Sequence, residues 1–388
     1  MDSQIAILPA ICYYTNHMIF KRKIEAMILE RLFKGRAILI FGPRQAGKTT
    51  LCKELILPFG NKAEYFNCEL ASVRKSFILG EPDVLLELVG DKKIVVFDEA
   101  QTIENIGVIL KVFVDTYPKV QIIATGSSSF DLANKINEPL TGRAFEFTLY
   151  PLSLEEITQA GKVDKIALLE LLRLGTYPAV VGEPDITQKE DLLKNLATNY
   201  LYKDIFIFES VRSPAVLENL VKAIALQVGS MVSLNELAQT VGASRETVQK
   251  YLSFLEQAYV IFRLPSFSRN PRNELKKAFK IFFVDVGIRN AIIDNLSSLN
   301  KRLDKGFVFE NFCIAERLKE SVSGTQSSAL SFWRTRKGEE IDLIEERAGE
   351  IRATEYKWGN EDVSFAKFLN KYPDAITEVI NLDSVALA

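Results

Sequence analysis

Nine residues near the N-terminus have the types and spacing to hold a polyphosphate: Gly42, Pro43, Arg44, Gln45, Ala46, Gly47, Lys48, Thr49 and Thr50, the pattern G-x-x-x-x-G-K-T-T. Backbone N–H groups wrap around phosphate oxygens only where the chain can visit positive φ, which glycine does at no steric cost. Lys48 supplies a point charge for the β- and γ-phosphates, and the Thr49 hydroxyl is a ligand for Mg2+. Two acids follow at a useful distance. The apolar run Ile94-Val95-Val96-Phe97 leads straight into Asp98 and Glu99. Asp98 is placed to hold Mg2+ through water, and Glu99 to polarise an attacking water. A third apolar run, Gln121–Thr125, ends in Gly126-Ser127-Ser128-Ser129. Thr125 and Ser127 are candidates for contact with the γ-phosphate or the lytic water. Arg143, in Leu-Thr-Gly-Arg, is either an arginine finger, which in trans requires a homo-oligomer, or a structural ion-pair partner.

These groups need strands and helices to aim them. A phosphate loop lies between a buried strand and a helix N-terminus. The run Ala37–Phe41 and the helical stretch Leu51–Leu57 supply both, and Ile24–Phe33 has helical spacing. With Glu64–Asn67, Ile94–Phe97 and Gln121–Thr125 as further strands, residues 18–150 predict an α/β unit whose parallel sheet is covered on both faces. Residues 151–204 read as a helical small domain interrupted at Gly175-Thr-Tyr-Pro178.

Residues 205–298 change pattern. Pro214–Gly229 is helical, Ser233 with Glu236 forms a capping box for a second helix, Val241-Gly242-Ala243 is a tight turn, and Ser244 caps a third helix, Arg245–Ala258. Tyr259–Leu264 and Ala278–Val284 then read as a hairpin, giving the outline of a winged helix-turn-helix. Arg245, Thr247, Gln249, Lys250 and Ser253 would face a groove. The wing, Ser268–Lys280, adds Arg269, Arg272, Lys276, Lys277 and Lys280 against one acid, Glu274. Such a cluster suits the phosphates of double-stranded DNA; the other reading is a solvated hairpin or a protein-contact surface.

Residues 299–388 form the last unit, with a helix at Gly306–Ser321 and a meander of Leu330–Arg334, Glu340–Glu345 and Ile351–Lys357. Asp342 is followed thirteen residues later by Glu355-Tyr-Lys357, similar to the PD-(D/E)xK nuclease pattern. On adjacent strands Asp342 and Glu355 would bind Mg2+, Lys357 would share their face, and Glu310 on the preceding helix would complete the site. Glu274-Leu-Lys276 has the same E-x-K spacing, so the strand context and the upstream Asp carry the reading.

The totals bound the rest. With 388 residues there is room for two to four domains, and 47% hydrophobic with 25% charged residues is ordinary for a soluble globular chain. A net charge of −2 excludes a generally basic protein, so nucleic-acid contact requires a local patch. Cys12, Cys52, Cys68 and Cys313 form no C-x-x-C pair, and His17 is the single histidine. Reduced thiols are expected, without a disulfide frame, a zinc site or a Ser-His-Asp triad. No apolar run approaches the roughly 18–20 residues that cross a bilayer. The expectation is a cytoplasmic protein without a membrane partner, in which residues 1–17 are an extension.

Met18 to about Tyr150 resembles the AAA-type (AAA_14-like) ATPase domain of prokaryotic ATP-binding proteins, through GPRQAGKTT, VVFDEAQ, ATGSSS, LTGR and YPLSLEE. The remainder resembles the DUF4143-type domain that accompanies it, through FVDVGIRN, GFVFENF and FWRTRKGEEIDLI with EYK. The resemblance implies an AAA+ fold with a helical lid, hydrolysis of ATP with Mg2+, an adenine pocket contributed in part by Ile19–Arg22, and a restriction-endonuclease-like C-terminal fold. It implies no substrate. The expected function is a nucleotide-driven switch or motor acting on DNA. The alternatives are a regulatory ATPase whose C-terminal half binds a protein, and an ATP-gated Mg2+-dependent nuclease.

Overall fold

The computed structural model describes residues 19–77, 82–127, 140–199, 213–268, 278–323, 328–335 and 337–387. The N-terminal extension, Ser128, and the wing candidates Arg269, Arg272, Lys276 and Lys277 lie outside these residues.

Five strands make the first sheet: β1 (Ala37–Phe41), β2 (Ala63–Asn67), β3 (Ile94–Asp98), β4 (Gln121–Gly126) and β5 (Ala144–Thr148). They run parallel in the order β2-β3-β4-β1-β5. The central strands are buried along their whole length, which is why they read as unbroken apolar runs. Successive residues enter opposite cores. Leu39, Phe41, Val95, Phe97 and Ala124 pack on one face. There they meet Leu85 and Val89 of α4 (Pro82–Val89), and Ile109, Leu110 and Phe113 of α5 (Ile106–Thr116). Ile38, Ile40, Val96 and Ile123 pack on the other face, against α1 (Lys23–Arg31) and α2 (Lys48–Ile56); α3 (Ala71–Ser76) follows β2. Each fully buried aliphatic or phenyl side chain contributes about 1.5–3 kcal/mol.

The strand order decides the chemistry. β4 lies between β1 and β3, so the polar residues at its C-terminal end stand between the phosphate loop after β1 and the acids after β3.

Four helices follow: α6 (Leu154–Ala160), α7 (Lys165–Leu174), α8 (Pro178–Val181) and α9 (Ile186–Asn199). Ser153 and Glu156 close a capping box at the start of α6. Then come α10 (Pro214–Leu226), α11 (Leu234–Val241) and α12 (Arg245–Gln257), with Ser233 and Ser244 capping the last two as expected. β6 (Ile261–Pro265) and β7 (Phe279–Phe283) pair as the expected antiparallel hairpin. After α13 (Val286–Ile292), the long helix α14 (Lys305–Ser323) leads to β8 (Ala329–Arg334), β9 (Glu340–Arg347) and β10 (Glu350–Lys357). These form the antiparallel meander. β11 (Ile376–Asn381) joins it parallel to β10, after α15 (Ala366–Lys371) and before α16 (Leu382–Leu387).

One continuous core runs from Leu152 through the helical segments and the hairpin to Phe309, Leu343, Tyr356 and Leu382. The segments after residue 150 are therefore packed together. Asn311 of α14 fastens β7 by exchanging two hydrogen bonds with the Phe283 backbone, at 2.9 and 2.7 Å.

Lys280 departs from its expected place on a basic wing. It sits on β7, 2% exposed, with its ammonium on Glu310 Oε1 (3.0 Å) and Glu340 Oε1 (2.5 Å). It is an internal counter-ion and is not offered to solvent.

Candidate active site

Gly42 begins the phosphate loop at φ +147°, and a Cβ there would lie 2.1 Å from Leu149 O. Gly47 is the left-handed N-cap of α2, at φ +100°. Both positions need glycine, one for close backbone approach and one for conformation. Gly42→Ala must push the loop off Leu149. If that displacement costs nucleotide binding about 1.4–2.8 kcal/mol, the Kd for a non-hydrolysable ATP analogue rises roughly ten- to a hundredfold, a change that calorimetric titration measures directly.

Lys48 is buried and donates to Gly42 O (2.8 Å) and Pro43 O (2.9 Å). Its ammonium thus lies inside the curl of the loop, with Glu99 Oε1 at 4.0 Å. Asp98 is the hub. Thr49 Oγ1 donates to its Oδ2 at 2.6 Å, and Thr125 Oγ1 to its Oδ1 at 2.5 Å. Tyr65, in the middle of β2, also donates to Oδ2. Burial, and then its bond to Asp98, push the Tyr65 phenol well above its ordinary range. A hydroxyl and one carboxylate, adjacent and both oxygen, suit Mg2+, which is held through one or two carboxylates together with substrate phosphates.

Glu99 takes a left-handed backbone at φ 54°, a conformation that costs a non-glycine residue about 1 kcal/mol or more. Its N–H donates to Thr125 Oγ1 (2.9 Å). A short 3-10 turn, Ala100–Thr102, follows and brings Gln101 beside the Glu99 side chain. Gln101 Nε2 donates to Glu99 Oε2 (2.6 Å) and to Ser127 Oγ (3.1 Å). Thr125 and Ser127 thus both lie beside the acids: Thr125 bonds to Asp98 and to the Glu99 main chain, and Ser127 meets Glu99 only through Gln101.

Arg22 braces the loop from behind. Its guanidinium donates to Ala46 O (2.6 Å), Tyr150 O (2.6 Å) and Glu156 Oε1 (3.2 Å). Burial lowers its pKa, and Glu156 opposes that shift. A cavity of about 390 Å³ lies in front, lined by Ile19, Phe20, Lys48, Thr49, Glu99 and Pro178 among others. It joins the phosphate loop to the Ile19–Arg22 segment and to α8.

Arg143 lies elsewhere. Its carbonyl accepts from Ala37 N at the start of β1, the opposite end of the sheet from the loop, and its side chain pairs with exposed Asp115 (2.7 Å). Within its own chain it is an ion-pair partner and does not reach the cradle. Arg245, Gln249 and Lys250 are exposed on α12, with Lys250 Nζ 5.7 Å from the Phe254 ring centroid.

Glu310, Asp342, Glu355 and Lys357 do come together, with Lys357 beside the two strand acids. Lys357 Nζ lies 2.6 Å from Glu355 Oε2 and 3.8 Å from Asp342 Oδ2, while Lys280 holds Glu310 and Glu340. Asp342 also accepts from Tyr356 N (2.9 Å). Burial, and next the Asp342 charge, push the Glu355 carboxyl up to about 7. Glu310 is also raised to about 7, by burial and the Asp342 and Glu340 charges, against the pull of Lys280. Two lysines satisfy these acids, and among the described residues no group of three or more His, Cys, Asp or Glu is arranged to hold a metal.

Sequence reasoning missed Tyr65, Gln101 and Glu156 as site residues. Gln101 alone had a local signal, standing two residues after Glu99. The others arrive from distant segments.

Comparison with known proteins agrees with the order of parts. Residues 34–158 match the model of an AAA domain, 166–299 a domain of unknown function (DUF8612), and 305–382 a domain of unknown function (DUF4143). An uncharacterized protein of Mycobacterium tuberculosis is 26% identical over 344 residues, 88% of this chain and 74% of that protein. Another, of Methanocaldococcus jannaschii, is 25% identical over 348 residues, 84% and 75% of the two chains. Among solved structures, the Pif1 helicase from Candida albicans aligns with a TM-score of 0.26 at 15% identity, over 46% of this chain and 48% of that one. No helix among the described residues is long and apolar enough to cross a membrane.

Proposed function

We propose that this chain, with an AAA domain in its N-terminal part, is an ATP-hydrolysing switch that acts on DNA. The observation that carries the reading is the convergence on Asp98 of Thr49 from the phosphate loop and Thr125 from β4, with Glu99 and Lys48 facing each other beside it. The loop residues 42–50 take the phosphates. Lys48 exchanges the Gly42 and Pro43 carbonyls for β- and γ-phosphate oxygens. Glu99 accepts a proton from the attacking water. Thr49 and Asp98 would hold Mg2+, which when bound neutralises charge on the phosphates.

A buried polar chain supports a switch. Arg22, hydrogen-bonded to the loop at Ala46 O, binds Glu156 at the start of α6. Leu154 N, in the same turn, donates to Glu316 Oε2 (2.6 Å) on α14. Lys319, one turn on, donates to Leu152 O (2.9 Å) and Thr176 Oγ1 (2.9 Å) and pairs with Glu316. Displacement of the loop by nucleotide would reach the C-terminal unit along this path. We read residues 18–150 as the ATPase core, 151–204 as its lid, 205–298 as a winged helix, and 299–388 as a nuclease-like fold.

Arg245 and Gln249, one helical turn apart, and Lys250 beside them give α12 an exposed polar face suited to a DNA groove. Duplex DNA is expected to stimulate ATP hydrolysis. The apparent DNA affinity should fall with salt, and the double substitution Arg245→Ala and Lys250→Ala should flatten the log–log salt slope by about 2. No stimulation by duplex at low salt would remove DNA as the partner and leave a protein partner.

A further inference from the structure

The two hydroxyls at the end of β4 were candidates for contact with phosphate or water, yet Thr125 bonds to Asp98 and the Glu99 N–H, and Ser127 bonds to Gln101. Thr125 holds the Glu99 main chain. Ser127 holds the Glu99 side chain, but only through Gln101, whose single amide nitrogen donates to Glu99 Oε2 at 2.6 Å and to Ser127 Oγ at 3.1 Å. Gln101 is itself fixed by the turn it occupies. Thr102 Oγ1 donates to Cys68 O (2.6 Å) and Glu99 O (2.9 Å), tying the turn to the end of β2 and to the left-handed residue before it. The amide is therefore pre-placed, and Glu99 Oε2 is the oxygen it holds. Oε1, 4.0 Å from Lys48 Nζ, is the oxygen on the cradle side.

We propose that Gln101 is a positioning residue for hydrolysis. Its amide locks one carboxylate oxygen of Glu99 to the end of β4, so that the other is presented to the water beside the γ-phosphate. This rests on the reading of Glu99 as the group that takes the water's proton. A neutral amide suits the task. It removes the rotational freedom of a carboxylate standing on a strained backbone, and it depresses basicity less than a cation in the same place. Gln101 makes no direct contribution to nucleotide binding on this account, so its effect belongs in kcat.

Single-turnover hydrolysis with the full-length chain tests the proposal. Gln101→Ala should lower the rate of the chemical step about ten- to a hundredfold, the range expected when a catalytic group is misplaced by an ångström or so. KM for ATP and the Kd for a non-hydrolysable analogue should stay within about twofold. The near-isosteric Gln101→Glu keeps the side-chain volume and guards against a packing artefact. It should be slow at neutral pH, where the introduced carboxylate meets that of Glu99, and should recover part of its rate as the pH is lowered and the introduced carboxyl regains a donor hydrogen. Unchanged kcat in Gln101→Ala would overturn the proposal. So would a parallel loss of kcat, analogue affinity and melting temperature in both variants, because that marks a merely structural residue. Glu99→Gln is the control. If it turns over normally, the assignment of the base has failed. If it is inactive while Gln101→Ala is normal, only the role of Gln101 has.

Discussion

Glu99→Gln is expected to bind ATP about as tightly as the unaltered chain and to hydrolyse it roughly 10²- to 10⁴-fold more slowly, the contribution typical of a positioned general base. The substitution keeps the size of the side chain. It leaves intact the donors and hydroxyls that define the cradle: Lys48 still lies in the loop, and Thr49 and Thr125 still converge on Asp98. What it removes is an oxygen able to take a proton. The Glu99 N–H would keep its bond to Thr125 Oγ1, so the left-handed turn and the placement of Gln101 survive. Lys48→Ala, by contrast, empties the loop of its cation and should cost binding itself. Equilibrium binding of a fluorescent ATP analogue and phosphate release under single-turnover conditions separate the two effects. Normal phosphate release by Glu99→Gln would mean that the proton goes elsewhere and that the carboxylate serves only to balance Lys48. Loss of binding by the same variant would mean that Glu99 positions the loop.

The strands and the loop were legible because their determinants are local. β1, β3 and β4 are buried from end to end, so their burial is written as uninterrupted apolar residues, and the glycines at 42 and 47 mark the turn between strand and helix. β5 and β11 were not read from the sequence. Both are edge strands with half-exposed side chains, and Ala144–Thr148 and Ile376–Asn381 interleave polar residues accordingly. The partners of the site residues were illegible for another reason. Arg22 reaches Glu156 across 134 positions, and Tyr65 reaches Asp98 across 33. Nothing in either neighbourhood announces such a pairing. Lys280 shows the same limit in reverse. In sequence it belongs to a basic cluster, whereas in the fold α14 and β9 close over it with Glu310 and Glu340.

That burial gives the second large effect. Lys280→Met should destabilise the fold by about 3–5 kcal/mol, the usual consequence of removing one partner from a buried ion pair. Methionine fills much of the lysine's volume, so the loss is chiefly of charge. The pH dependence identifies the partner. Glu310 in the folded chain titrates at about 7, above its ordinary value, with burial as the main cause. A raised carboxyl contributes stability that is fully present below the unfolded value, about 4.5, and is lost as pH rises through the folded one. In the unaltered chain Lys280 limits that loss by receiving the carboxylate. Its ammonium is held above its usual pKa by Glu310 and Glu340 even though burial works the other way. Without it, Glu310 must either stay protonated or ionise with no cation on β7. The stability gap between Lys280→Met and the unaltered chain should therefore be small near about pH 5 and should widen up to about pH 8. Denaturant titrations followed by tryptophan fluorescence report this region, since Trp333 and Trp358 both lie in the C-terminal unit, Trp358 against Phe309 of α14. A gap that stays constant with pH would show that Lys280 is held by packing on Phe282 and Phe332, which lie 5.9 and 5.6 Å from its ammonium, and not by the carboxylates. Lys280→Arg, which keeps the charge, should then behave like Lys280→Met. If the carboxylates are what hold Lys280, the arginine variant should instead retain the pH profile of the unaltered chain. Such a result would place the C-terminal acids as the anchor between the hairpin, α14 and β9.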